Sequence, residues 1–104
     1  MKKISQIEIQ NLMGLHQRGL DDDVIKKANV LVKEYPEEII LLNLLGVSYE
    51  RKGLLKDASK AYKDALKLNP NIPEMNFNLG TILFSENKVE EAIHFYKKAI
   101  QLNN

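Results

Sequence analysis

Three adjacent carboxylates, Asp21, Asp22 and Asp23, form the densest run of ionisable side chains in the sequence and raise the question of a calcium loop. Calcium loops place their acids at alternate positions around a glycine, because oxygens must converge on one ion from a sharply turned backbone. Here the acids are consecutive and stand where a helical segment should begin. At that position carboxylates cap free amides and oppose the helix dipole. Glu37 with Glu38 and Glu90 with Glu91 also fall at expected helix starts and need no catalytic explanation. The two histidines, His16 and His94, lie in different segments and on different helical surfaces, so they make no metal pair, and His16 reads as a solvated residue. With no cysteine, the chain has no disulfide, thiolate ligand or cysteine nucleophile. Neither a nucleophile–base–orienter set nor a glycine-rich phosphate loop is present, so neither an enzyme nor a cofactor is expected.

Charge balance excludes other classes. Fifteen basic and 14 acidic residues leave a net charge of +1, so no overall field favours a polyanion, and the lysine pairs at 26–27 and 97–98 are interspersed with acids. Nucleic acid is not an expected partner. The opening "MKKISQIEIQ" has lysines like a signal peptide, but Gln6, Glu8 and Gln10 interrupt any apolar core. "IILL" at 39–42 is far too short to span a membrane. A soluble, cytoplasmic chain is the expectation, and 104 residues with 44% hydrophobic content suit one small folded domain over 1–104.

Those residues must be positioned by elements, and the elements repeat. "GLLKDASKAYKDALKLNP" at 53–70 and "NKVEEAIHFYKKAIQLNN" at 87–104 overlay at an offset of 34 residues. That offset aligns Gly46 with Gly80, Ala58 with Ala92, Tyr62 with Tyr96, and Ala65 with Ala99. Leu42, Leu45, Gly46 and Tyr49 share one helical stripe; Ala58, Ala61, Tyr62, Ala65 and Leu66 share another. Each unit is thus a pair of helices. Gly53 and its counterpart Asn87 are the residue types that end a helix in left-handed geometry, and Pro36 and Pro70 mark unit boundaries. A first, divergent copy has Leu12 for the glycine and Val24 for the alanine, and opens with Ser5 and Glu8 spaced as a capping box and Ile4 placed to staple onto Ile9. The spacing predicts helices near 5–18, 21–34, 37–51, 55–68, 73–86 and 88–102, in units of about 5–36, 37–70 and 71–104.

Leu42, Leu45, Gly46, Tyr49, Ala58, Tyr62, Ala65 and Pro70 resemble the tetratricopeptide repeat, with leucine in the usual tryptophan position. The last copy carries Leu79, Gly80, Leu83, Ala92, Tyr96 and Ala99, with Asn76 in the tryptophan position. The small residues are expected where paired helices approach closely, and Tyr62 and Tyr96 between neighbouring pairs. The resemblance implies an all-α, right-handed α-solenoid of three antiparallel helix pairs whose first helices line a concave groove.

On that basis the candidate groove takes Ile9, Gln10 and Met13 from the first unit, with Gln6, His16 and Gln17 beside them. The second unit supplies Asn43, Leu44, Val47 and Arg51, and the third Phe77, Asn78, Thr81 and Phe84. Apolar groups flanked by amides suit a partner's peptide or amphipathic helix, at an affinity on the order of micromolar. A competing reading has Ile9, Met13, Leu44, Val47, Phe77 and Phe84 simply packed away. The carboxylate-gripping positions of chaperone adaptors correspond to Ile9, Met13, Leu44, Glu74 and Asn78, of which only Asn78 matches. The asparagine ladder of glycosyltransferase members corresponds to Gln10, Leu44 and Asn78, a partial match. At the end of the array, Ile93, Tyr96 and Ile100 are expected to remain open to water, giving a self-association face or the docking site of a further helix. The functions that follow are a non-catalytic adaptor or scaffold, a self-associating structural module, or the repeat segment of a larger enzyme such as a sulfotransferase or glycosyltransferase.

Overall fold

A computed structural model describes residues 3–103; Met1, Lys2 and Asn104 lie outside the described residues. The described residues form α1 (Gln6–Gln17), α2 (Asp21–Glu34), α3 (Ile39–Arg51), α4 (Leu55–Leu68), α5 (Pro73–Ser85) and α6 (Val89–Leu102), with no strand among them. Each predicted helix is present, with ends shifted by at most two residues. At α1 the capping box closes: the Ser5 hydroxyl accepts from the Glu8 amide at 3.1 Å, and the Glu8 carboxylate accepts from the Ser5 amide at 3.4 Å. Ile4 is buried in the same cluster as Ile9, as a hydrophobic staple requires.

The tight turn within each pair is built the same way three times. Gly19, Gly53 and Asn87 take positive φ of 72°, 76° and 63°. One residue later, the amides of Leu20, Leu54 and Lys88 donate to the carbonyls of Leu15, Tyr49 and Leu83. Asn87 is the lone non-glycine with positive φ among the described residues. Between pairs, Pro36 and Pro70 directly follow the helix-ending residues Tyr35 and Asn69. Asn76, in the tryptophan position, is buried and donates to the carbonyls of Pro70 and Ile72 at 3.1 and 2.8 Å, tying the connection onto α5.

Helices pack as α3 on α4 and α5 on α6, with α2 against α3 and α4 against α5 forming seams between units. The small residues have the expected cause. A Cβ on Gly46 would lie 2.4 Å from the Tyr62 ring, and one on Gly80 would lie 2.9 Å from the Tyr96 ring. Each tyrosine therefore lies over the glycine of its own pair, and Tyr62 also reaches the next unit. The first pair inverts the sizes: Leu12 replaces the glycine and Ala28 replaces the tyrosine, both buried in one cluster. Large against small is conserved while the two helices exchange roles.

The aspartate run differs from expectation. No side chain caps the start of α2, whose N-cap is Leu20. Instead Asp21 pairs with Arg51 at 3.2 Å and Asp22 with Lys52 at 2.6 Å, across the seam to the end of α3. The acids still oppose the α2 dipole, but their partners are cations of the next unit, which the stacking of α2 on α3 brings within reach.

Candidate functional site

The first helices α1, α3 and α5 carry the groove candidates, and their side chains differ in availability. Leu44 is 3% exposed and packs in the core with Leu12, Val24 and Ala28, so it cannot line a groove. The reason is rotational: Leu44 lies with Leu41 and Leu45 on the stripe of α3 that enters the seam with the first unit. Ile9, Met13 and Val47 are half-buried against the core, whereas Gln10 is exposed and Asn43 half-buried.

Arg51 is exposed but engaged. Its guanidinium donates to Asp21 and to the His16 carbonyl, and lies 3.3 Å from His16 Nδ1. His16 is thus half-buried beside a cation rather than freely solvated. Asn78 points at the seam, its amide donating to the Tyr62 hydroxyl at 3.4 Å, and that hydroxyl donates to Glu50 at 2.9 Å. Burial, reinforced by the hydrogen bond to Glu50 and its charge, pushes the Tyr62 phenol well above the ordinary tyrosine range, against smaller opposing effects of Asn78 and Arg51. The Thr81 hydroxyl donates to the Phe77 carbonyl and accepts from the Tyr96 hydroxyl, both at 3.1 Å. Two large apolar groove residues are left open: Phe77 at 54% and Phe84 at 58% exposure, seven residues apart and so on one face of α5.

Phe77 also belongs to a second surface. A cleft of about 670 Å³ opens between α5 and α6, lined from α5 by Pro73, Glu74, Phe77 and Asn78. From α6 it takes Tyr96, Ala99 and Ile100, with Asn103 directly after the helix. The Phe77 and Tyr96 rings touch in tilted geometry with centroids 5.5 Å apart. Residues assigned from sequence to two sites, the groove and the end face, thus meet in one cleft. Ile93, with Ile100 an exposed member of α6, lies outside the cleft lining. Pro73, Ala99 and Asn103 are not among the sequence candidates, Ala99 reading as a core position; the signal is the side of α6 whose counterparts on α2 and α4 are covered by the next unit. Among the described residues no group of three or more histidines and acids could hold a metal, and no helix is long and apolar enough to cross a membrane.

Comparison with known proteins agrees with this geometry. A tetratricopeptide repeat family model matches residues 43–104. The chain is 35% identical over 94 residues to aspartyl/asparaginyl beta-hydroxylase of Mus musculus, covering 90% of this chain and 12% of that protein. It is 30% identical over 89 residues to human tetratricopeptide repeat protein 13, covering 81% of this chain and 10% of the relative. The chain therefore spans about a tenth of the length of these relatives. A solved structure of MamA (MSR-1 C2) superposes with a TM-score of 0.84 at 21% identity, over 94% of this chain and 56% of that one, which shows the shared fold. With the paired helices, the 34-residue register and the glycine–tyrosine contacts, the match places this chain in the tetratricopeptide repeat family.

Proposed function

We propose that the chain is a non-catalytic binding module that holds a peptide or helix of a partner protein along α1, α3 and α5, acting as an adaptor or scaffold. Repeats of this family generally mediate protein–protein interaction. The observation that carries the reading is the pair Phe77 and Phe84, each more than half exposed on one face of α5. Two aromatic rings at this spacing are suited to anchor one face of a partner segment, since aromatic side chains supply much of the energy at interfaces. Glu74 at the start of α5 lines the same cleft as Phe77 and adds a polar group beside it.

The test is capture of a partner by the wild-type chain and by Phe84→Asp, a residue outside the α5–α6 cleft, with circular dichroism matched between the two. The variant is expected to lose at least about tenfold in affinity, the cost of removing one buried aromatic anchor. Equal retention by both proteins overturns the reading. A second reading, the repeat segment of a larger enzyme, draws on the similarity to 12% of a beta-hydroxylase, an enzyme class other than the sulfotransferase or glycosyltransferase considered from sequence. The full reading frame decides it: a contiguous catalytic domain supports this reading and its absence removes it.

A further inference from the structure

The 34-residue register allows the two outer faces of the array to be compared with the seams inside it. At the inner seam, Leu66 and Tyr62 of the second unit are covered by α5, with Met75 in the same buried cluster. One repeat later the positions of Leu66 and Tyr62 are held by Ile100 and Tyr96, and Ile100 is 67% exposed against 9% for Leu66. At the other end of the molecule, the position of Met75 and Leu41 is held by Ile7 on α1, which is 70% exposed where those two are buried. Two exposed isoleucines therefore stand at positions whose counterparts share a core at an inner seam.

Polar groups follow the same register. The first seam is clamped by Asp22, in the first turn of α2, with Lys52, the C-cap of α3. At the second seam the same positions are Lys56 and Glu86, with the signs reversed, and both line one shallow cleft. At the outer faces the positions are Glu90, in the first turn of α6, and Arg18, the C-cap of α1. Their signs are again opposite. Asn78 donates to Tyr62 across the inner seam; the matching pair is Gln10 and Tyr96.

We propose that the C-terminal face of one copy receives α1 of a second copy, continuing the solenoid head to tail in the 34-residue register. Ile7 of the second copy covers Ile100 and Tyr96 of the first, Arg18 pairs with Glu90, and the Gln10 amide donates to the Tyr96 hydroxyl. The joint is weaker than an inner seam, because Asn11 and Gly14 occupy the positions of Leu79 and Ile82. Assembly is therefore concentration-dependent and open-ended.

Sedimentation velocity on the 104-residue chain, up to about 1 mM, tests this. Wild type is expected to pass from monomer to dimer and then to longer species. Ile7→Glu and Ile100→Glu, each at an exposed position and checked by circular dichroism, are each expected to remain monomeric. Mixed in equal amounts, they should form a dimer and nothing larger, since each retains one intact face. Asn11→Leu restores the apolar residue of the inner seams and should tighten association by about tenfold or more. Three results overturn the proposal: a wild-type monomer throughout, Ile7→Glu still self-associating, or Asn11→Leu without effect. Phe84→Asp leaves this assembly unchanged, which separates it from partner binding on α5.

Discussion

Gly46 and Tyr62 occupy space that a single methyl group would contest. Tyr62 is fully buried and its hydroxyl is held by Glu50, so the ring cannot yield to a Cβ 2.4 Å away. Gly46→Ala should therefore destabilise the fold by about 1–3 kcal/mol despite the better helix propensity of alanine. At Gly80 an added Cβ would meet the Tyr96 ring at 2.9 Å and the Ala92 carbonyl at 3.3 Å, but Tyr96 is only half-buried, so Gly80→Ala should cost less than Gly46→Ala. Gly14 has no such neighbour within 4 Å, and Gly14→Ala should stabilise by up to about 1 kcal/mol. Urea melts of the three variants check this order. The raised Tyr62 phenol predicts an alkaline effect. In the unfolded chain a tyrosine loses its proton near pH ~10, whereas folded Tyr62 keeps it, so this contribution is full below that pH and declines as pH rises above it. Tyr62→Phe should flatten part of the fall in melting temperature between about pH 9.5 and 11.5. From sequence Tyr62 was legible as core; its bond to Glu50 was not, since the pairing depends on how α4 is rotated against α3.

Helix boundaries were the most legible feature, because glycine, asparagine and proline act through backbone sterics that any context must respect. Side-chain availability was less so: Leu44 and Asn43 are adjacent on α3, yet one is core and the other half-exposed, a difference set by the angle at which the first unit docks. Among elements, the first pair is set apart. Leu12 and Ala28 replace the glycine–tyrosine contact, and α1 and α2 approach each other less closely than the later pairs do. Hydrogen exchange should therefore find the amides of α1 opening before those of α3 and α4, at native pH and without denaturant. Uniform protection across all six helices would contradict this ordering.

Across the whole molecule, stability should follow the seams, as in any array whose units touch only their neighbours. The first seam is clamped by Asp21–Arg51 and Asp22–Lys52, both at the surface, and by the Asn29 amide donating to the Tyr49 hydroxyl at 2.9 Å. Raising salt from about 0.05 to 0.5 M should weaken the two ion pairs and lower protection in α1 and α2 more than in α5 and α6. The offset of 34 made the three-unit plan readable from sequence, while the opposite signs across each seam emerged only once α2 was seen against α3. Those signs also govern how such an array can lengthen by gene duplication. Copying the middle unit in tandem sets Lys56 against a second Lys52, and copying the last sets Glu90 against a second Glu86, so both new joints repel. Among copies of a single unit, only that of the first, with Asp22 facing a second Arg18, forms an attractive joint without further mutation.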